Sequence, residues 1–284
     1  MSHAVYRVSS IARPLEPKYT SNLAVLILLP LIAAGIAAVE IYLRGTEMTP
    51  AIWTGVSAMV TAFICWAMGR EVDPDRVSAA FVAMALSVVV IGLGWSPSIW
   101  ALAMTLMSAR VVNRTVGPAA RLTDLTIVTA LAWMAVLRDG HWALGAVAAL
   151  AMLIDLRLDK TRTLNFAFAG AALAATVFAM IQVDGDFDRL INQPIANLDS
   201  SWAISAVLIG GVFALITLTM PPVTSVADAS GDLLSRARVK WGAAIVLMAA
   251  LATLLDGQAG LLAGLPLWAV IIGGLEARAM PIRK

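Results

Sequence analysis

The sequence predicts an all-α protein, a polytopic transmembrane helix bundle of about ten spans, with a 5+5 inverted repeat as its candidate symmetry. Three observations carry that expectation. Of 284 residues, 60% are hydrophobic and only 13% charged, about half the charged share usual in soluble domains. Apolar runs long enough to cross a bilayer recur along the whole chain, separated by mostly short polar connections. Lysine and arginine are concentrated in alternate connections, as expected of a chain that threads back and forth through a membrane.

Residues 1–21 form a polar tail carrying Arg13, Pro14, Pro17 and Lys18. The run that follows, Asn22 to Leu43, is too long for a signal-peptide core and is followed by no small-residue cleavage pattern, so it is expected to remain as the first span. Further spans are expected at about 51–69, 77–95, 97–112, 124–138, 141–156, 164–182, 202–220, 241–255 and 259–276. The fourth, fifth, sixth and ninth are short and need local thinning of the bilayer or burial within the bundle. The membrane domain is then 22–276, with candidate halves 22–138 and 141–276, and a short polar tail follows at 277–284.

Ser96-Pro97 and Asp73-Pro74 each place a capping side chain before a proline, which is tolerated in the first helical turn. Thr123 or Asp124 is expected to cap the fifth span, and Ser200 or Ser201 the eighth. Pro30 and Pro266 fall inside spans one and ten and predict kinks. Gly210-Gly211, Gly264 and Gly273-Gly274 suit close helix packing. Trp53, Trp66, Trp95, Trp100, Trp202 and Trp241 lie near span ends and read as interfacial anchors. Asp232 to Arg238 reads either as a short amphipathic surface helix or as a plain polar linker.

All but three of the 20 lysines and arginines, the exceptions being Arg44, Arg138 and Arg189, fall on the side that holds both termini. By the positive-inside rule that side is the cytoplasm, and the plasma membrane, in particular a bacterial inner membrane, is the expected location. No ionisable side chain lies near the centre of any span, which speaks against a pump driven by an ion gradient. The single Cys65 excludes an intramolecular disulfide and a thiolate metal cluster. The two histidines, His3 and His141, cannot bracket a haem within the membrane. No metal and no cofactor is expected.

The charges cluster on the inner side. The connection after span two holds Arg70, Glu71, Asp73, Asp75 and Arg76. The one after span four holds Arg110, Asn113, Arg114 and Arg121, with Asp124 at its end, and the one after span six holds Asp155, Arg157, Asp159 and Lys160. If the bundle brings these connections together, guanidinium–carboxylate pairs can close a gate or hold a phosphate. As helix caps and locally neutralised charges they would need no further role. On the outer side, Asp184, Asp186 and Asp188 resemble the start of a calcium loop, but Arg189 replaces the turning glycine and Ile195 the bidentate glutamate, which excludes an EF-hand.

Glu71 to Val77 and Asp184 to Leu190 both read acid-x-acid-x-acid-Arg-aliphatic, five spans apart, so the second copy would be inverted across the bilayer. Ten spans in under 300 residues, both termini inside and a five-plus-five inversion are similar in architecture to the drug/metabolite transporter superfamily. The acids Glu71-x-Asp73-x-Asp75 and Asp155-Leu-Arg-Leu-Asp159, after spans two and six, are similar in placement to the Asp-rich loops of polyprenyl transferases of the UbiA type. They depart from that family's Asn-Asp-x-x-Asp-x-x-x-Asp pattern, so several ligands for a magnesium-bound diphosphate are missing.

The leading expectation is a transporter or exchanger of a small neutral or amphiphilic solute, not coupled to ions, with a charged cytoplasmic gate. The alternatives are a lipid-phosphate or prenyl-transfer enzyme with an acidic inner-face site, and an assembly or scaffold subunit. The expected partners are the lipid bilayer and a small solute or lipid; nucleic acid is not expected, and a protein partner stays open.

Overall fold

A computed structural model of the chain describes residues 8–159, 163–182, 196 and 198–279. The described residues form eleven helices: α1 (Thr20–Arg44), α2 (Met48–Val72), α3 (Val77–Gly92), α4 (Ile99–Asn113), α5 (Leu122–Leu137), α6 (Leu144–Leu158), α7 (Leu164–Gln182), α8 (Ser200–Thr219), α9 (Arg236–Leu254), α10 (Gly257–Ala263) and α11 (Leu265–Ala279). Five of them, α1, α2, α7, α8 and α9, are long and apolar enough to cross a membrane. The α10–α11 pair, bent by 58° at its break, makes a sixth if counted as one broken span. The protein is thus helical and compatible with a multi-pass membrane protein. The acidic run at 184–190, and with it the second copy of the sequence echo, lies outside the described residues.

The difference between the ten expected spans and the five or six that qualify lies in length. The helices α3 to α6 have 15 or 16 residues, about 22–24 Å at 1.5 Å per residue, against roughly 30 Å of hydrocarbon. Two of these helices need little contact with lipid along their length. Most residues of α4 and α6 are buried, and α4 packs against α2, α5, α6 and α9. By contrast, α1, α7 and α8 keep most of their apolar surface exposed, as expected of helices that face lipid.

The core is a layer of small and flexible side chains between α2, α4 and α9. Ala62, Cys65 and Met68 meet Leu102, Met104 and Leu106, with Ile245, Val246 and Ala249 opposite. Close approach depends on glycine at several contacts, of which two bear on the site. A Cβ on Gly242 would fall 1.9 Å from Asn113 Oδ1, and one on Gly273 would fall 2.5 Å from the Ala79 carbonyl oxygen. Gly242 is therefore what lets α9 lie against the C-terminal end of α4.

Several local expectations need correction. The cap of α4 is Ser98, not Ser96; its hydroxyl accepts from Ala101 N at 3.2 Å. Asp73 does not cap the start of α3, which begins after Arg76; it is the C-cap residue of α2, and its side chain is drawn to two arginines. The helix α5 begins after Arg121, and Asp124 accepts from Arg121 N at 2.8 Å from inside the first turn. Asp199, not a serine, caps α8 by accepting from Ser201 N at 2.8 Å. Pro266 sits in the first turn of α11, where a missing N–H costs nothing, so the expected kink is a full break at Gly264. The segment Asp232–Ser235 precedes α9 and is not helical; Val226 and Leu233 form an isolated antiparallel bridge there. Trp66 is 6% exposed and is no interfacial anchor, whereas Trp53, Trp100, Trp202 and Trp241 are exposed.

Candidate functional site

One end of the bundle gathers the C-terminal ends of α2, α4 and α6, the start of α9, residues 8–16 of the amino-terminal segment and the 221–235 connection. Glu71, in the last turn of α2, is its hub, with a side chain fully shielded from solvent. Its Oε1 accepts from Arg110 Nε at 3.2 Å, Thr115 Oγ1 at 3.1 Å and Arg13 Nη1 at 3.4 Å. Asn113 Nδ2 donates to Glu71 Oε2 at 3.2 Å and to the Glu71 carbonyl at 2.9 Å. A carboxylate taken out of water needs this much compensation, since an unpaired one would cost several kcal/mol.

The arginines carry the network outward. Arg110 Nη1 donates to the Ile11 carbonyl at 3.1 Å, fixing the amino-terminal segment beneath the bundle. Arg13 reaches Asp228 through Nε at 2.6 Å and Nη2 at 2.9 Å, a two-pronged contact with the 221–235 connection. Burial works against the Arg13 charge, but Glu71 and Asp228 outweigh it and hold its pKa above the ordinary arginine value.

A second hub is Asp155 in the last turn of α6, also fully buried. It accepts from Arg114 Nε at 3.0 Å, Arg238 Nη1 at 2.7 Å and Asn165 Nδ2 at 2.9 Å. Arg114 Nη1 also reaches Asp159 Oδ2 at 2.9 Å, and Arg238 Nη1 the Val112 carbonyl at 2.9 Å. Arg114 itself has φ 54°, the only left-handed non-glycine backbone among the described residues. That conformation costs on the order of 1 kcal/mol, and here it turns the guanidinium back onto α6.

The remaining acids are tied separately. Asp124 accepts from Ser9 Oγ, Ser10 N and Ser10 Oγ at 2.6–2.9 Å. Asp73 meets Arg76 at 3.2 Å and Arg278 at 3.3 Å. Asp75 accepts from Thr224 N at 2.9 Å, Ser225 N at 2.8 Å and Ser225 Oγ at 2.6 Å. Burial pushes the Asp75 carboxyl up, but these donors prevail and hold it below the ordinary aspartate value. Among the described residues no three carboxylate, histidine or cysteine side chains gather as a metal site. The four acids Asp73, Asp75, Asp155 and Asp159 do not pool; each faces arginine or N–H donors.

The structure therefore brings Glu71, Arg110 and Asn113 into one cluster and Arg114, Asp155 and Asp159 into a second, with Asp73 and Arg76 in a third. Asp75 and Asp124 each pin a different segment. Arg70 stands apart: among the described residues it makes no ion-pair contact, although Glu71 and Asp228 act on it from a distance, and its Nε is buried without an acceptor. It lines a pocket of about 770 Å³ between the amino-terminal segment and α2, together with Arg13, Leu15, Tyr19, Phe63 and Trp66. Sequence reasoning missed Arg13, Thr115, Asn165, Asp228, Arg238 and Arg278. Only their number and side could be read, because pairing over more than 200 positions, as between Arg13 and Asp228, leaves no local signal.

The opposite end is sparser. Glu40 pairs with Arg44 and accepts from Thr46 Oγ1 at 2.9 Å. Ser98 donates to Asp139, and His141 Nδ1 lies 2.6 Å from Asp256 Oδ2. Burial raises the Asp256 carboxyl above its ordinary range, with His141 opposing. A pocket of about 670 Å³ opens here, lined by Glu40, Arg44, Trp53, Ser57 and Leu93.

Compared with protein-family models, curated proteins and solved structures, the chain finds no match. Neither architectural likeness drawn from the sequence gains support from that quarter.

Proposed function

We propose that the protein is a ten-span transporter or exchanger of an amphiphilic solute in the plasma membrane of a bacterium, with both termini cytoplasmic and the inner end closed by the Glu71 and Asp155 clusters. One observation carries this reading. Two buried carboxylates at one end of the bundle bind together six segments of the chain, and each is held by several donors. Charges serving only to set topology would be solvated. Buried carboxylates each shared among several donors favour instead one closed state, opened only if their pairs exchange partners.

The alternation of helix ends favours ten passes, with α10 and α11 as one broken span. Contacts of Ser98 with Asp139 and of His141 with Asp256 gather one set of ends, and contacts of Asp73 with Arg278 the other. The inverted repeat draws support from α1 packing on α2 as α6 packs on α7, and from α4 facing α9. It is strained at α8, which packs on α9 and α11, whereas its counterpart α3 packs on α2 and α11. The enzyme alternative loses ground because its four proposed acids are separately engaged by cations and N–H groups.

The test is reconstitution into liposomes loaded with fluorescent short-chain phospholipids or neutral solutes, without an ion gradient. Flux by the wild type, faster in Glu71→Gln where the closing pairs are weakened, is expected. Absence of flux for every solute class in both forms refutes the transport reading. Cysteine labelling at position 75 in intact cells checks orientation; access from the external medium overturns it.

A further inference from the structure

Four features of the pocket between the amino-terminal segment and α2 point to an anion with an apolar body. Phe63, Trp66, Ala67 and Arg70 all line it and lie at i, i+3, i+4 and i+7, one face of α2. That face runs from aromatic to cationic toward the charged end of the bundle, with the Phe63 and Trp66 rings stacked at 6.2 Å.

The second feature is a pair of unused donors. Arg70 Nε and Trp66 Nε1 are buried, one helical turn apart, and neither has an acceptor. Other buried polar atoms among the described residues also lack a partner, but these two are set apart by belonging to residues that line one pocket, where an acceptor could satisfy both.

The third is charge. Around the pocket Arg13, Lys18, Arg70 and Arg110 face Glu16, Glu71 and Asp228. Arg13 is taken by Glu71 and Asp228, Arg110 by Glu71 and Lys18 by Glu16, so among these described residues the cations exceed the carboxylates by one, and Arg70 is the cation with no direct ion pair. The fourth is the start of α1 at Thr20, with no side-chain cap; Ser21 and Asn22 of its first turn line the same pocket, and free N–H groups at a helix start favour an anion.

We propose that this pocket binds a phosphate-bearing head group, with Arg70 and the first turn of α1 on the phosphate, Trp66 donating its indole N–H, and Phe63 and Leu15 covering the first carbons of an attached apolar chain. The inference deepens the transport reading by naming the substrate class, and it stands on equilibrium binding alone. Binding without flux removes only transport, and flux that ignores Arg70 removes only this site.

The experiment uses the full chain in detergent, with binding followed by native mass spectrometry and thermal shift. The probes are dioctanoyl phosphatidate, dioctanoyl glycerol and inorganic phosphate. Saturable binding of the phosphatidate is expected, with none of the neutral diglyceride. Arg70→Gln should weaken it about tenfold or more, as the loss of a charge-assisted contact implies, and Trp66→Phe by several-fold. Arg44→Gln at the far end should leave it unchanged. Equal affinity for inorganic phosphate retains the anion site and assigns it to the free ion, not to a lipid head. Wild-type affinity in both folded variants, Arg70→Gln and Trp66→Phe, or no binding of any phosphate probe, overturns the proposal.

Discussion

The two ends of the bundle use charge in different ways. At the Glu71 end, carboxylates are buried and shared among donors from several segments, so that each pair depends on its neighbours. At the Glu40 end the contacts come as separate couples: Glu40 with Arg44 one turn away, Ser98 with Asp139, and His141 with Asp256. The difference teaches that a sequence's charge bias and its buried electrostatics are separate quantities. Positive charge is kept on one side by topology. A carboxylate shared among several cations is found at the Glu71 end, whereas Glu40 is buried against the single Arg44 and Asp124 against serine and backbone donors.

The contrast is broken most directly at Glu71. Glu71→Ala strands the buried Arg110 with no carboxylate and leaves Arg13 to Asp228 alone, and should lower stability by about 3–5 kcal/mol, read from denaturant or thermal unfolding in detergent. Replacing Glu71 and Arg110 together by leucine should recover most of that loss, because the penalty belongs to the uncompensated charge. Failure of the double variant to recover would place the cost in the shape of the site.

Gly242→Ala ranks next. Its methyl group would collide with the Asn113 side chain, which is held to Glu71, so the expected loss is about 1–3 kcal/mol. At the opposite end Arg44→Ala removes an i,i+4 partner that is one-third exposed, and should cost about 1 kcal/mol or less. A larger loss would mean that the two ends are not so different.

The smallest effect is a pH dependence at Asp75. Its folded pKa lies below the ordinary value of 3.8, so the stabilisation it gives is complete above that value and fades as pH falls through the lower folded one. Proteolysis of the 221–235 connection by pepsin should therefore quicken below about pH 4 in the wild type. In Asp75→Asn the rate should already be raised near neutral pH, measured with a neutral protease, and change little on acidification.

The helical, membrane-compatible class was legible because it rests on a sum, the long apolar runs. The crowding of acids in Glu71 to Asp75 was equally plain. What could not be read was allocation. Glu71, Asp73 and Asp75 lie within five positions of one another, yet they bind Arg110, Arg278 and Ser225 respectively, on three different elements. Side-chain direction at a helix end decides that, and a change of one residue in where α2 stops would reassign all three. Caps went astray for the same reason: Asp73 prefers arginines to an open helix start because charged partners offer more. Trp66 was misplaced because nearness to a span end in sequence does not reveal which neighbour covers the ring.

The contact between Arg13 and Asp228 has a consequence for how the molecule is made. A ribosome delivers Arg13 more than 200 residues before the partner that receives it, and Ile11 similarly precedes the Arg110 that grips its carbonyl. Residues 9–13 can meet Glu71, Arg110 and Asp124 before half of the chain is made, but the contact with Asp228 can form only after α8 has been synthesised. A reporter or tag placed directly on residues 8–13 would thus interfere with the last event of assembly, while leaving the earlier helices free to insert.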